Sequence, residues 1–519
     1  MKERVVVVGS GVAGLTAALA AAEAGRSVTV LERADDLGGT SAISGGVAWL
    51  PGNHLMPEVD PPGAAMAYLS ALAQGDSDET MLATFVAEAA RIGEWIEAAT
   101  PLTWMPIPYP DYHQQMPGAR SAGRAVEPAP TAIAPEVAAR IKPSPHTRAP
   151  VTYGEGMTGA VDATEIARRA EAGMLTMGQA LIGALVSRLL ELDVELQTGA
   201  RVERLRHEQG VVTGVVVGSQ HYRARVVLAT GGFDREPSLV RSFLRGPMDA
   251  PAGAGTLTGD GLRMAMSVGA DLGNMSEAWW MPAMAVPGAE IDGVALHRLL
   301  LTERAMPGSL MVDRTGRRFT NETQNYNDLG RELQAFDAAS FSHARLPCWL
   351  VVDARFRQRY GLGPLRPGSD DPPWLATAPT PGELAERIGV PPDALAATID
   401  RFNEHAASGE DPDFGRGVSA YDRGIGDPDA AHPNLAPLTE GPYSAVEVRL
   451  GCLGTKGGPR TDDRGRVADV LGGTIRGLYA VGNAAASPFG LAYAGAGGTI
   501  GPALVFGARA GEAAASEEG

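Results

Sequence analysis

The sequence predicts an α/β fold, and three observations carry that reading. The first is the opening stretch, where the β-branched run Val5 to Val8 meets glycines at 9, 11 and 14. The second is the continuation of that stretch: Ala-rich helical sequence from Leu15 to Ala24, a stop at Gly25, and a second apolar strand from Ser27 to Leu31. The third is a return of the same texture, apolar strand into glycine, at 225–233 and again at 477–483. Strand, glycine turn, helix and strand in that order build a parallel sheet covered by helices. The expected architecture is a discontinuous Rossmann-like domain, 1–279 with 443–519, and an inserted α+β domain at 280–442.

The opening unit also says what it binds. Gly9, Gly11 and Gly14 fill a GxGxxG pattern, which lets backbone approach a pyrophosphate at a helix N-terminus. Glu32 ends the second strand, about 20 residues on, where a carboxylate accepts from a ribose hydroxyl. After Arg33 comes a loop of glycines and small hydroxyls, with Gly39, Thr40, Ser41, Gly45 and Gly46 offering polar groups to the same ligand. That loop holds no His, Cys or Tyr, the side chains expected for covalent attachment of a cofactor, although His54 lies a little further on.

The remaining elements come in order. Residues 77–99 have helical spacing, with Leu82, Phe85, Val86 and Trp95 on the core face. The Pro- and Gly-rich stretch from 101 to 150 carries Trp104, Tyr109, Tyr112 and Met116, too apolar for a linker, and reads as a packed functional loop. A helix at 173–191 and strands over 194–217 lead to the return strand, whose Thr230 and Gly231 face the cofactor. Asp260 sits in a second glycine-rich turn entering a helix. Asp313 and Gly316 mark a turn that delivers Asn321 to Tyr326, and 355–442 reads as loops and short helices. Near 443 the early texture returns, with Gly482 and Asn483, then Tyr493, Gly497, Thr499 and Ile500. A last helix runs from Ala503 to Ala510 with Pro502 at its first position, before a disordered tail from Ala513.

Composition removes several function classes. Net charge is −17 over 519 residues, which argues against nucleic-acid binding and a basic membrane patch. Cys348 and Cys452 are the only cysteines, so no disulfide framework or thiolate zinc site is expected. The nine histidines lack metal-ligand spacing, and no metal is expected. Trp279 and Trp280 read as core or pocket wall. With its first strand almost at Met1 and no apolar run of membrane length, the protein is expected in the cytoplasm.

The blocks GSGVAG, GGTSAISGG, VVLATGGF, TGDGLRMAMSVGA, RFTNE, GTKGG and GLYAVGNAA resemble, in order, flavoproteins related to fumarate reductase and succinate dehydrogenase. Within that superfamily the chain is most similar to 3-ketosteroid Δ1-dehydrogenases, through Pro110 to His113, Ala278 to Trp280, Asn321 to Tyr326 and Tyr493 to Gly501. The resemblance implies noncovalent FAD, dehydrogenation of a carbon pair beside a ring ketone with hydride passing to flavin N5, and a quinone-like or protein electron acceptor. Tyr326 stands where fumarate reductases carry a catalytic arginine; a phenol suits an apolar ketone, a guanidinium a dicarboxylate. The family pattern makes Tyr326 the base, with Tyr112 hydrogen-bonded to it and its pKa lowered thereby. Tyr109 and Tyr153 are alternatives for the Tyr112 role. Tyr493 and the Gly497 N–H hold the ketone oxygen as enolate charge develops. Steroid Δ1-dehydrogenases usually read His-Thr-Tyr-Pro-Gly-Pro-Gly here, whereas this chain has Leu491-Ala-Tyr-Ala-Gly-Ala-Gly497, with different polarity and stiffness. The readings that remain open are a Δ4-(5α)-dehydrogenase, a cyclohexanone-type dehydrogenase, an ene-type reductase run backwards and a flavin electron carrier without its own substrate.

Overall fold

The structure is a computed structural model that describes residues 4–147 and 149–517. Two sheets organise it. The first has nine strands, and at its centre Arg4–Val8 lies between Arg225–Leu228 and Ser27–Leu31, all parallel. Thr474–Ala480 and Glu195–Gln197 extend that parallel core on either side. Val5 to Val8 are buried, as β-branched residues must be in a strand covered on both faces.

Glycine governs the packing around this strand. Gly9 has φ +107°, and a Cβ there would sit 2.4 Å from the Ala229 carbonyl oxygen. The helix Val12–Glu23 therefore starts directly over the return strand. The final helix, Ile500–Ser516, crosses it closely: a Cβ on Gly511 would lie 2.2 Å from the Ala17 carbonyl oxygen. That helix is longer than the sequence suggested. Pro502 is its third residue, still within the first turn where N–H groups have no intrahelical acceptor. Ala513 to Ser516 are helical rather than disordered, because Ala513 to Ala515 are buried and Arg26 and Arg225 donate to the carbonyls of Ala515 and Ala514. Glu518 and Gly519 lie outside the described residues.

The second sheet runs Val294–Leu299, Ala278–Ile291, Tyr443–Thr455, Cys348–Val352, Ser309–Val312. Its central strand is Tyr443–Thr455, so the chain from 443 finishes this sheet before Thr474–Ala480 rejoins the first. Helix Glu79–Ala99 forms as expected, capped by the Asp78 side chain accepting from Thr80 N–H, with Leu82 and Phe85 buried and Val86 and Trp95 partly so. The 101–150 stretch is packed: Trp104–Pro106 and Ala125–Pro128 pair beside Ala48–Trp49. Within 355–442 the structure adds Pro392–Ala406, a 15-residue helix where only short ones were expected. Its buried Leu395, Ile399 and Phe402 keep helical spacing, which the surrounding prolines obscured. Among the described residues no helix is long and apolar enough to cross a membrane.

Candidate functional site

A cavity of about 930 Å³ runs between the two sheets, and it gathers nearly every residue singled out from sequence. Gly9, Gly11, Glu32, Arg33, Gly39, Thr40, Ser41, Gly45, Gly46, Thr230, Gly231, Asp260, Gly482, Asn483, Thr499 and Ile500 line it. So do Tyr112, Tyr326, Tyr493 and Gly497. Gly14 does not. A Cβ on Gly14 would lie 2.2 Å from the Gly9 carbonyl oxygen, so this glycine serves the closeness of turn and helix instead.

The lining is chemically ready for a dinucleotide. Glu32 accepts from Ser10 N–H (3.0 Å), Ser10 Oγ (2.7 Å) and Ala34 N–H (2.9 Å). A carboxylate has about four acceptor sites, so one is left for a ribose hydroxyl. Ser41 Oγ accepts from Val12 N–H at 3.1 Å, which anchors the glycine-rich loop to the first helical turn. Arg33 donates to Thr258 Oγ1 at 2.6 Å, and Asp260 is held by Arg33 and Arg201. Thr230 lines the cavity, with its Oγ1 buried, without a protein partner among the described residues, and against Gly261, where a Cβ would lie 2.2 Å away. The helix Ile500–Ser516 brings its positive end to the same cavity.

The tyrosines form one cluster built from four segments. Tyr326 Oη donates to Tyr493 Oη at 2.9 Å. Tyr112 packs edge-on against both rings, with centroids 5.5 Å and 5.3 Å away. A hydrogen bond with Tyr112 pulls the Tyr326 pKa down, while Tyr326 itself donates to Tyr493. Tyr421 closes the cluster 5.1 Å from Tyr112. Sequence reasoning missed Tyr421, which lies in the five-residue helix Ala420–Gly424, a segment too short to show periodicity and without a motif. Tyr109 packs behind Tyr112 and Tyr421, and Tyr153 lines the cavity.

Asp111 accepts from Trp49 Nε1 (2.8 Å) and Arg124 (2.7 Å), which fixes the turn bearing Tyr112. Tyr68 Oη donates to Ala494 O at 2.7 Å, and Tyr112 N–H donates to the same carbonyl at 3.0 Å. Tyr326 opens helix Tyr326–Glu332, whose cap is the Asn325 side chain accepting from Asp328 N–H. Behind it Glu322, wholly buried, accepts from Arg318 at 2.7 Å. Gly497 has φ +87°, and a Cβ there would meet Ala48 and Trp49 backbone at 2.6 Å.

Burial dominates the electrostatics. It drives the Tyr326 and Tyr112 pKa values well above that of a free phenol. Tyr493 is pushed up to about 12, again by burial, while hydrogen bonds with Tyr326 and Thr499 pull it back. The expectation of a lowered Tyr326 pKa therefore fails in this dry cluster, because a neighbouring phenol returns less than desolvation removes.

A protein-family model described as an FAD binding domain matches residues 4–500. The chain belongs to this family. Along 99% of its length the flavoprotein is 42% identical to 4-oxocyclohexanecarboxylate 2-dehydrogenase of Sinomonas cyclohexanicum, covering 93% of that protein. It is 35% identical to 3-oxosteroid 1-dehydrogenase of Mycobacterium tuberculosis, with 97% and 96% of the two chains aligned. Among solved structures it matches 3-ketosteroid Δ1-dehydrogenase from Sterolibacterium denitrificans in complex with 1,4-androstadiene-3,17-dione, with TM-score 0.91, 34% identity and 99% coverage of both chains.

FAD is thus the cofactor of this chain, and the glycine-lined part of the cavity has the lining a dinucleotide needs. His54 is turned away from it and sits 3.3 Å from Glu97, while His146 lies at the lining beside Arg298. Acid precipitation of the flavoprotein should release intact FAD into the supernatant. Flavin colour retained on the washed precipitate would instead indicate attachment, with His146 the first side chain to examine.

Proposed function

We propose that the flavoprotein is a dehydrogenase that forms a C=C bond beside a ring ketone. The observation that carries this reading is the Tyr326–Tyr493 hydroxyl pair, which lines the same cavity as Gly497 and the glycine-rich dinucleotide turn. Tyr493, its pKa raised to about 12, stays a neutral donor. The Gly497 N–H has no acceptor among the described residues and serves as the second donor. Two such donors stabilise the enolate more than the ketone, which is what lowers a barrier. Tyr326 takes the α proton, and the Tyr112 hydroxyl favours its ionised form. FAD, when bound, supplies the hydride acceptor. The closed packing around Tyr112 and Tyr421 keeps bulk water from the proton transfer.

Identity to the steroid 1-dehydrogenases supports a 3-ketosteroid as substrate. A second reading, a single-ring keto acid, has two supports: the 42%-identical relative's name, and Arg298 and Arg366 at the cavity lining. In either case the reduced protein passes electrons to an external quinone-like or protein acceptor in the cytoplasm. The test is anaerobic bleaching of bound FAD by a panel: a 4-ene-3-ketosteroid, a 5α-saturated 3-ketosteroid, 4-oxocyclohexanecarboxylate, cyclohexanone and succinate. At least one ring ketone should bleach the flavin while succinate does not. Bleaching by succinate alone, or by none of the ketones, contradicts the proposal.

A further inference from the structure

Lys456 has no part in the chemistry above. It comes directly after the strand Tyr443–Thr455, within the Gly-Thr-Lys-Gly-Gly stretch, and its side chain is wholly buried. Its Nζ donates to three successive carbonyls, Gly490 (3.1 Å), Leu491 (2.9 Å) and Ala492 (2.8 Å). Those three residues lead directly into Tyr493. The same nitrogen lies 4.2 Å from the Trp279 ring centroid, and that ring packs 4.8 Å from Tyr493.

Three carbonyl acceptors and an aromatic face fit an ammonium, since a neutral amine would turn its lone pair on one of the oxygens. Burial and the Arg331 charge lower the Lys456 pKa and the Glu277 and Asp328 charges raise it, while the three carbonyl acceptors and the ring face favour the charged form throughout. The charged groups around it come from each neighbouring element. Arg331, on the helix that begins with Tyr326, donates to Leu491 O at 2.9 Å and pairs with Glu277 at 2.6 Å, so those two charges offset each other. Asp328, on the same helix, is a third exposed and lies 3.5 Å from His113. No carboxylate is within ion-pairing distance of Lys456 among the described residues. Burial, meanwhile, opposes negative charge on Tyr326, Tyr112 and Tyr493.

We propose that Lys456 is a positioning residue of the dehydrogenation: its buried ammonium pins the 490–492 turn that presents Tyr493, and its field favours negative charge on the tyrosine pair. The proposal rests on the tyrosine reading above. It makes the lysine the partner that ionisation inside this dry cluster requires.

The test uses FAD-loaded protein carrying Lys456→Gln, which keeps an amide donor without the charge, and Lys456→Met, which removes both. Flavin content, phenolate absorbance against pH without substrate, and kcat and KM against pH are measured. Both variants should keep FAD. The phenolate transition and the ascending limb of kcat should move up by about one pH unit in Lys456→Gln, with kcat near neutrality down about tenfold and KM changed less. Lys456→Met should lose more as Tyr493 drifts. If Lys456→Met fails to hold FAD, the glutamine variant decides. A glutamine variant with both titrations unmoved and kcat within about twofold overturns the inference. Should the wild type turn over no ring ketone, the tyrosine reading fails by itself, and the substrate-free phenolate titration still decides the role of Lys456.

Discussion

Replacing Tyr326 by phenylalanine is expected to leave the flavoprotein yellow and folded and to lower dehydrogenation by about 10² to 10⁴-fold, the usual contribution of a general base. One hydroxyl is removed and the ring stays edge-on to Tyr112 and Tyr493. Its hydrogen-bond partner is Tyr493, which retains Thr499 as a neighbour able to lower its pKa. Stability should therefore change little. The raised pKa of Tyr326 sets the sign of the pH dependence: the ionised form is scarce at neutrality, so turnover should climb with pH into the alkaline range. The phenylalanine variant should lose that climb. A variant retaining more than about half of the wild-type rate would remove Tyr326 from the proton transfer.

Tyr493→Phe acts on the other end of the reaction. In the proposed mechanism one of two donors to the ketone oxygen disappears, and loss of such a donor costs about 3–4 kcal/mol in the transition state. The damage should fall on kcat more than on KM, because the enolate needs the bond more than the ketone does. Gly497 remains as the second donor, which is why the loss should be partial. An unchanged turnover number would leave Tyr493 as a ring that merely packs on Trp279.

Much of this site was legible in the chain because its cofactor part is local. The turn at Gly9, the carboxylate at Glu32 and the loop through Ser41 arise from glycine geometry and strand order within a few dozen residues. The hidden parts depend on distant partners. Ser10, which ties Glu32 down, reads as a spacer inside GxGxxG until its two bonds to that carboxylate are seen. Tyr421 comes into the cluster from the short helix Ala420–Gly424, far from the motifs that carry the other tyrosines. The Tyr326 pKa was misjudged for a related reason: pairing is visible in a motif, whereas burial is a property of the whole fold. The helical tail was missed because alanine-rich sequence beside acidic residues resembles a solvated end until Arg26 and Arg225 cap it.

In the proposed mechanism this tyrosine cluster removes a proton next to a ring ketone. The measurement that tests it most directly is the rate of anaerobic FAD reduction in a single turnover, with a ring ketone of the active class carrying deuterium at the carbons adjoining the carbonyl. A primary isotope effect is expected in the wild type and a larger one in Tyr493→Phe, where proton removal becomes more rate-limiting. Equal rates for labelled and unlabelled ketone in both proteins, with flavin still reduced, would contradict it.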